Sequence, residues 1–367
     1  MRILVVNAGS SSLKLSLLDD ADRLTGSEEL TAHGGQFDAE EVARELDKLG
    51  AADADAVGHR VVHGGREFVQ PVRLDGTVRA KLAELTDLAP LHQPKSLAGI
   101  DAVSRALPGL PAVACFDTAF HATMPAAAST YALPQEWRQR WDIRRYGFHG
   151  LSHAYATRRA GQLLGHTPAR LIVCHLGSGA SLAAVRDGRS VDTTMGFTPL
   201  EGLIMATRSG TVDPGLVLWL AEHAHTPPAE LAATLEHRSG LAGLAGTADM
   251  RQVLSRAAAG DTRAVLGRDV YLHRLRGAIA SMAAALGGLD ALVFTGGVGE
   301  NSAEVRQRAA AGLEFLGVSV DSVRNGNPDG AEDYEISADG AAARSFVIAA
   351  REDKQIAGEV RSVLALA

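Results

Sequence analysis

The sequence is short of cysteine, of long apolar stretches and of net positive charge, and each shortage excludes a class of protein. Its two cysteines, Cys115 and Cys174, stand in apolar runs, so we expect buried thiols in a reducing compartment rather than a disulfide framework. No apolar run reaches the roughly 18 residues that span a bilayer, and the first residues lack a signal-peptide pattern. These absences predict a cytoplasmic protein.

Acidic residues outnumber basic ones, with 43 Asp and Glu against 36 Lys and Arg, which gives a formal charge of −7. Such a chain does not offer a general surface for nucleic acids or anionic membranes. Positive charge should instead be local and placed for small anions, so individual arginines become candidates for function. The 367 residues, of which 46% are hydrophobic and 22% charged, predict a globular protein of two domains.

Two stretches share one pattern, in which an apolar run enters a loop of glycine and serine and an alternating segment leaves it. The first covers residues 5–19 and the second covers residues 173–188. Each is predicted as strand, tight turn and strand. Neither loop ends in the Gly-Lys-Ser/Thr of a P-loop. Glycine and serine would still let backbone and hydroxyl donors converge on a phosphate, with two ordinary β-hairpins as the alternative.

A third glycine-rich segment covers residues 291–301, where a buried-strand pattern runs into a glycine turn. We expect a helix to begin after this turn, near Ser302. A helix amino terminus behind such a turn suits an anion or a ribose. By itself this segment is only a weak indication of a nucleotide.

Several charged and imidazole side chains stand at the ends of predicted strands or in turns. Arg60 lies among apolar strand residues and needs an anionic partner if buried, whereas His59 and His63 are expected to be structural. Asp117 ends an apolar strand, where α/β proteins place ligand or metal contacts, with helix N-capping as its alternative role. Three further candidates are His92 in a proline-rich loop, His149 between two glycines, and Arg208 in a loop.

Seven phrases of the sequence, in order, resemble those of the acetate kinase family, within the superfamily of acetate and sugar kinases, heat-shock ATPases and actin. They are NAGSSSLK at 7–14, GHRVVHGG at 58–65, APLH at 89–92, FDTAFH at 116–121, YGFHG at 146–150, MGFTPLEG at 195–202 and FTGGVGEN at 294–301. The resemblance covers almost the whole chain. It implies an α/β fold of two ribonuclease-H-like, actin-like ATPase domains with a cleft between them. An acyl-substrate and phosphate domain would comprise residues 1–120 and the C-terminal helix 353–367, and a nucleotide-binding domain residues 121–352.

The implied reaction is direct in-line phosphoryl transfer from ATP to acetate, which gives ADP and acetyl phosphate, with Mg²⁺, or alternatively Mn²⁺, as cofactor. Acetate is ionised at pH 7, given a pKa of about 4, so catalysis must come from positioning and from neutralising the phosphoryl charge. By the resemblance, Asp117 is the catalytic aspartate, and His149 and Arg208 stabilise the transition state. Because acetate is already ionised, we favour a role for Asp117 in aligning the substrate or the metal over proton transfer. Arg60 and His92 would contact the substrate. The family also implies a homodimer.

The resemblance assigns the remaining site residues to four groups. The Mg²⁺ positions are Asn7 and Glu352. The phosphate contacts are Ser10, Ser12, Lys14, His175, Leu176, Gly177, Ser178 and Gly179. The adenosine side comprises Asp249, Met250, Arg251, Gly297, Val298, Gly299, Glu300 and Asn301. The pocket for the acyl methyl group comprises Val62, Leu91, Phe148 and Pro199.

Three positions depart from the family pattern: Ser178 stands in place of an Asn, Met250 of a Phe and Arg351 of an Asn. These departures bear on nucleotide preference and rate. A small apolar pocket discriminates by only about 1–3 kcal/mol per methylene, so propionate or another short acid is an alternative substrate. A nucleotide-binding regulator on the same fold is a second alternative, because fold does not determine function. The arginines, histidines and aspartate at family positions disfavour it.

Overall fold

The computed structural model describes residues 1–9, 12–31, 37–89, 93–327 and 329–365. The chain divides into two compact units. The first unit comprises Met1–Ala122, Phe148–Tyr155 and Arg351–Ala367, and the second comprises Thr123–Gly147 and Ala156–Ala350. Each unit contains a six-stranded sheet with helices around it, which confirms the predicted α/β class. The predicted division into two functional domains stays a prediction.

The two sheets are built on the same plan. The first contains β1 (Ile3–Ala8), β2 (Ser12–Leu18), β3 (Leu24–Thr31), β4 (Ala56–Val61), β5 (Val72–Arg73) and β6 (Ala112–Phe116), in the order β3-β2-β1-β4-β6-β5. The second contains β7 (Arg170–Leu176), β8 (Ala180–Arg186), β9 (Arg189–Thr193), β10 (Ala291–Thr295), β11 (Tyr334–Glu335) and β12 (Arg344–Val347), in the order β9-β8-β7-β10-β12-β11. In each sheet the three central strands are parallel to one another and the outer strands are antiparallel to their neighbours.

Both predicted hairpins are confirmed, as β1 with β2 and β7 with β8. The Gly9 amide donates to the Ser12 carbonyl at 2.7 Å, and the Gly177 amide donates to the Gly179 carbonyl at 2.9 Å. In both turns the glycine amide donates a backbone hydrogen bond, to the third residue along in the first hairpin and to the second residue along in the second.

The helices fill the connections between strands. In the described residues they are α1 (Ala39–Lys48), α2 (Gly76–Glu84), α3 (Gln93–Ala106), α4 (Ala126–Ser129), α5 (Gln135–Arg140), α6 (Gly150–Leu164), α7 (Pro214–Glu222), α8 (Pro228–His237), α9 (Gly240–Ala245), α10 (Met250–Ala258), α11 (Thr262–Leu286), α12 (Gly296–Asn301), α13 (Ala303–Ala310), α14 (Ser322–Asn325) and α15 (Glu352–Ala365). Short 3-10 helices cover Ala51–Asp53, Leu85–Leu88, Ala119–Thr123 and Glu314–Leu316. None of the helices in the described ranges is long and apolar enough to cross a membrane.

The segment after β10 differs from the prediction of one helix opening near Ser302. A short helix, α12, begins at Gly296, directly after the strand, and α13 follows it. Gly296 has a φ of 77°, a left-handed conformation that glycine adopts without steric cost, so the chain turns at once from strand to helix. Ser302 then caps α13, because its hydroxyl accepts from the Val305 amide at 3.3 Å.

Strand β1 shows how the first unit is packed. Leu4 and Val6 belong to one apolar cluster that includes residues of α1 and α3, and Ile3 and Val5 belong to another that includes α15. Successive side chains of a strand point to opposite faces, so the helices cover both sides of the sheet. Both cysteines of the chain are buried, as predicted.

Candidate active site

Four polar side chains meet at the carboxyl end of the parallel strands of the first unit. Asn7 lies on β1, Arg60 on β4, Asp117 directly after β6, and Glu352 begins α15. Parallel strands bring their carboxyl ends to one edge of a sheet, which explains why residues so far apart in sequence lie together.

Arg60 is the centre of this cluster. Its Nε lies 3.2 and 3.1 Å from the two carboxylate oxygens of Asp117, and its Nη2 lies 2.6 Å from Oδ2. Its Nη1 donates to the side-chain oxygen of Asn7 at 3.0 Å, and Nε is 3.7 Å from a Glu352 oxygen. The anionic partner expected for a buried Arg60 is thus Asp117. The carboxylate of Asp117 accepts from this guanidinium, and the alternative role as a helix N-cap is not needed.

The protonation of the pair follows from its burial. Asp117 is 1% exposed. Burial raises the pKa of Asp117 to about 6, with repulsion from Glu352 adding to the rise and the Arg60 guanidinium opposing it. Burial alone would lower the pKa of Arg60, but Asp117 and Glu352 raise it above its usual value. At neutral pH the pair is therefore an ion pair.

Asn7 and Glu352 carry oxygen donors of the type that Mg²⁺ prefers, and their side chains lie next to each other. The Asn7 amide nitrogen lies 3.4 Å from a Glu352 carboxylate oxygen, and the nearby Asp117 carboxylate is hydrogen-bonded to Arg60. Within the described ranges no group of three or more His, Cys, Asp or Glu side chains could hold a metal. Mg²⁺ often takes only one or two carboxylates and completes its shell with water and phosphate, so the small donor set suits it.

Lys14 and Ser12 lie on β2, beside the cluster. Lys14 is directly opposite Asn7 in the antiparallel pair, and it is exposed. Cross-strand partners share one face of a sheet, so Lys14 lies on the face that carries Asn7. Ser10, the other predicted phosphate contact of this turn, lies outside the described residues.

His149 stands in a constrained turn before α6. Its φ is 57°, in the left-handed region, and its side chain is half-buried. The next residue, Gly150, donates its amide to the Asp117 carbonyl at 2.8 Å. A Cβ at Gly150 would lie 2.2 Å from that oxygen, so only glycine allows the approach. The backbone therefore ties His149 to Asp117.

The predicted acyl-pocket residues are placed only in part. Val62 and Phe148 belong to the first unit and are 6% and 1% exposed. The Phe148 ring contacts the ring of His63 edge to face, with 5.6 Å between centroids. Pro199 belongs to the second unit, while Leu91 and His92 lie outside the described residues.

In the second unit, Arg208 is a half-buried cation that has no acidic partner among the described residues. Its Nη1 donates to the Pro199 carbonyl at 3.3 Å and lies 3.7 Å from the Met205 sulfur. In the described part of the chain, no carboxylate lies within ion-pair distance of its guanidinium. Burial lowers the pKa of Arg208, with Glu236 opposing that shift. A charge held in this way is suited to an anionic ligand.

The Arg208 loop is held by backbone contacts. The Met205 amide donates to the Arg208 carbonyl at 3.2 Å. Gly240 has a φ of 60°, and a Cβ there would lie 2.3 Å from the Met205 carbonyl oxygen and 2.6 Å from that of Arg208. Glycine at this position is what lets α9 begin against the loop, so Arg208 sits on a fixed backbone.

A cavity of about 550 Å³ lies in the second unit, next to the second hairpin and α12. Eight of the residues expected to bind nucleotide line it: Gly177, Ser178, Asp249, Met250, Arg251, Gly297, Val298 and Asn301. Six further lining residues were not predicted: Ala206, Leu241, Ala248, Leu254, Tyr271 and Ser302. Apolar side chains form much of the lining, and glycine and serine residues of the hairpin turn and of α12 are also part of it. This arrangement suits a ligand with a flat apolar ring and a polar chain.

Other predicted nucleotide contacts have structural partners as well. The Glu300 carboxylate accepts a hydrogen bond from the Ala350 amide at 3.0 Å, which connects α12 to the segment between β12 and α15. Asp249 caps α10 and pairs with Arg251 at 2.8 Å. Gly299 is buried, and His175 and Leu176 end β7. Gly179 accepts the amide of Gly177 within the hairpin turn.

The residues missed by the sequence analysis carry no local motif. Tyr271 lies in the 25-residue helix α11, and Leu241 and Leu254 lie in α9 and α10. Their apolar side chains follow the helical spacing of ordinary core residues. Only the packing of α9 and α10 against α11, which itself lies on the second sheet, reveals that they line a cavity.

Comparisons with known proteins agree with one another. The profile of the Acetokinase family matches residues 36–358. An acetate kinase of Gloeobacter violaceus is 44% identical, over 98% of each chain, and one of Shouchella clausii is 42% identical over 97% of this chain and 98% of its own. The acetate kinase structure of Porphyromonas gingivalis aligns with a TM-score of 0.90 at 36% identity over 99% of each chain. A propionate kinase of Francisella tularensis aligns equally well, with a TM-score of 0.90 at 37% identity over 98% of each chain.

Proposed function

Because the chain belongs to the acetokinase family, we propose that it reversibly transfers the γ-phosphoryl group of ATP to acetate, giving acetyl phosphate and ADP. The observation that carries this proposal is the near full-length similarity to acetate kinases, at 42–44% identity in two relatives. Two observations support it: the Arg60–Asp117 ion pair in the first unit, and the Arg208 guanidinium of the second unit, which has no acidic partner among the described residues.

Arg60 is proposed to bind the acyl or phosphoryl oxygens. A guanidinium carries five donor hydrogens, and each terminal nitrogen has two. One hydrogen of Nη1 goes to Asn7 and one of Nη2 goes to Asp117, so each nitrogen retains a donor for substrate. Asp117 orients this fork and does not need to abstract a proton, because acetate is already ionised at pH 7.

Arg208 and His149 are proposed to stabilise the charge on the phosphoryl group in transit. Phosphoryl transfer leaves little covalent chemistry to the protein, and arginines directed at the equatorial oxygens account for a large part of the rate. Arg208 is already half-buried and has only a carbonyl and a thioether as partners in the described residues, so few contacts are lost when it binds an anion.

The cavity beside the second hairpin is proposed to hold the adenosine of ATP or ADP. Met250, Leu254 and Val298 give it apolar walls, and Gly177 and Gly297 are also lining residues. Ser178, which stands in place of the family's Asn, is exposed in the turn and is proposed to contact a phosphate.

Asn7 and Glu352 are proposed to hold Mg²⁺, in part through water. When bound, the ion would neutralise negative charge on the nucleotide phosphates. The chain contributes hard oxygen donors beside Arg60, which keeps them oriented.

The reverse reaction tests the proposal. Purified protein supplied with ADP, Mg²⁺ and acetyl phosphate should form ATP, and ³¹P NMR would detect this product. The Arg208→Ala variant serves as the inactive comparison. Absence of ATP from a folded protein that binds ADP would overturn the proposal.

Propionate is the second candidate acceptor, favoured by the equal structural similarity to a propionate kinase. One methylene changes binding by only about 1–3 kcal/mol in an apolar pocket. Relative kcat/KM for the two acids distinguishes the candidates.

A further inference from the structure

A buried histidine contacts the peptide that precedes His149. The Nε2 atom of His121 lies 3.1 Å from the carbonyl oxygen of Phe148. His121 belongs to the 3-10 helix Ala119–Thr123, which begins two residues after Asp117, and it is 0% exposed. The short helix therefore returns the chain from Asp117 to the turn that carries His149.

The direction of this hydrogen bond follows from the chemistry of its partners. Burial lowers the pKa of His121 to about 4, although the Phe148 carbonyl opposes the shift, so the ring is neutral at pH 7. A neutral imidazole carries one proton, and a carbonyl oxygen can only accept. The proton is thus on Nε2, which donates to Phe148. Ring contacts with Phe120 and His153, at centroid distances of 5.6 and 5.5 Å, hold the imidazole in this orientation.

The other side of the His149 turn is fixed as well. The Gly150 amide donates to the Asp117 carbonyl at 2.8 Å. Two neighbouring peptides are thus fastened to the segment 117–121, and His149 lies between them with a φ of 57°. A left-handed conformation is unfavourable for any residue that carries a Cβ atom. Such a conformation persists only where the surroundings determine it, and these two hydrogen bonds are such surroundings.

We propose that His121 is a positioning residue for His149, acting through the Phe148 carbonyl. The proposal deepens the proposed function, on which it rests. His121 itself touches no reacting group in this account. Its task is to hold the backbone so that the His149 side chain stands where the transferred phosphoryl group develops charge.

Three substitutions at His121 separate this role from mere occupancy of the core. Glutamine places its amide nitrogen the same number of bonds from Cβ as Nε2, so His121→Gln retains the donor. Asparagine carries the same amide one methylene shorter, and His121→Leu has no donor. We expect kcat to fall about 10- to 100-fold in His121→Asn and His121→Leu, and less than about threefold in His121→Gln. The KM for ATP should stay within about twofold in all three.

A double-mutant cycle with His149→Ala tests whether the two residues act in series. If His121 acts only through His149, then adding His121→Asn to His149→Ala should lower kcat by no more than about threefold. An independent tenfold or greater loss in the double variant would show a general structural role and would overturn the proposal. Equal activity of His121→Asn and wild type would overturn it too.

Amide hydrogen exchange gives a readout that does not depend on activity. Loss of the His121 donor should speed exchange in a peptide covering residues 146–155, in His121→Asn but not in His121→Gln. Unchanged exchange in both variants would refute the positioning role even in an active enzyme. If exchange is faster in His121→Asn but the wild-type protein makes no acetyl phosphate, His121 does hold the His149 turn, and it is the proposed function that is refuted.

Discussion

Arg60 holds the carboxylate of Asp117 by two points, with 2.6 Å between its Nη2 and Oδ2 and 3.1 Å between its Nε and the same oxygen. The pair joins β4 to the end of β6 at the carboxyl edge of the first sheet. The Arg60 guanidinium also contacts Asn7 and lies near Glu352, the two predicted metal ligands. One side chain therefore contacts or approaches all the predicted metal ligands that are described in this unit. Its removal should therefore affect both folding and turnover.

Replacing Arg60 by Ala leaves Asp117 buried without its cation. We expect the unfolding free energy to fall by about 3 kcal/mol and kcat to fall by about 10³-fold, because a buried charge loses its partner and the substrate loses a fork. Arg60→Lys keeps the charge and should lose less stability but still about 10²-fold in kcat. Urea unfolding and steady-state kinetics measure the two effects. A tenfold loss or less in Arg60→Ala would remove Arg60 from the mechanism.

The raised pKa of Asp117, about 6, predicts an acidic limit to activity. As the pH falls through about 6, protonation removes the charge that orients Arg60, so kcat/KM should decline. The same shift means that stability falls as pH rises from about 4 to 6, because the unfolded chain releases this proton before the folded one. A kcat/KM profile from pH 5 to 8 measures the limit. The residual activity of Asp117→Asn should not decline at acidic pH in this way. A flat wild-type profile would contradict the assignment of the acidic limit to Asp117.

Arg208 should contribute to rate and little to stability, because it pairs with no carboxylate among the described residues. We expect Arg208→Ala to lower kcat by about 10³-fold while the melting temperature changes by less than about 2 °C. Arg238→Ala is the matched control, since Arg238 belongs to the same unit as Arg208 and its side chain is largely exposed. A loss in kcat equal to that of the control would exclude Arg208 from transition-state stabilisation.

Val62 should influence the choice of acyl chain. Val62→Ala removes two methyl groups at the predicted pocket, and we expect kcat/KM for propionate relative to acetate to rise about tenfold. Val61→Ala is the control, because Val61 is 1% exposed and packs in the apolar cluster with Phe116 and Leu82. An equal ratio in the two variants would place the acyl group elsewhere.

Ser178 offers a gain-of-function test. Asparagine at this exposed position adds an amide donor beside the proposed phosphates, and we expect Ser178→Asn to lower the KM for ATP about threefold without changing that for acetate. Ser178→Leu has a similar size and no donor, so it should not lower the KM. An unchanged KM for ATP in Ser178→Asn would show that the side chain at this position does not contact the phosphates.

Local patterns were sufficient to predict the parts of the fold that depend on neighbours in sequence. The two hairpins follow from alternation and glycine, and Asp117 from its place at the end of an apolar strand. The cavity walls could not be predicted in this way, because Tyr271, Leu241 and Leu254 come from three helices and resemble core residues. The role of Gly150 also depends on distance in space, since only the folded chain brings it to Asp117. The homodimer, the cytoplasmic location and the roles of the site residues stay predictions, and Ser10, Leu91 and His92 also lie outside the described residues.

The most direct test of the central claim is acyl-phosphate formation, trapped with hydroxylamine as the hydroxamate. The protein is supplied with ATP and Mg²⁺ and, in parallel, with acetate, propionate or butyrate, and ADP release is measured in the same samples. We expect hydroxamate with acetate, in a one-to-one ratio to ADP, and a rate of formation about 10³-fold lower with Arg208→Ala. No hydroxamate from any of the three acids, in folded protein that binds ATP, would contradict it.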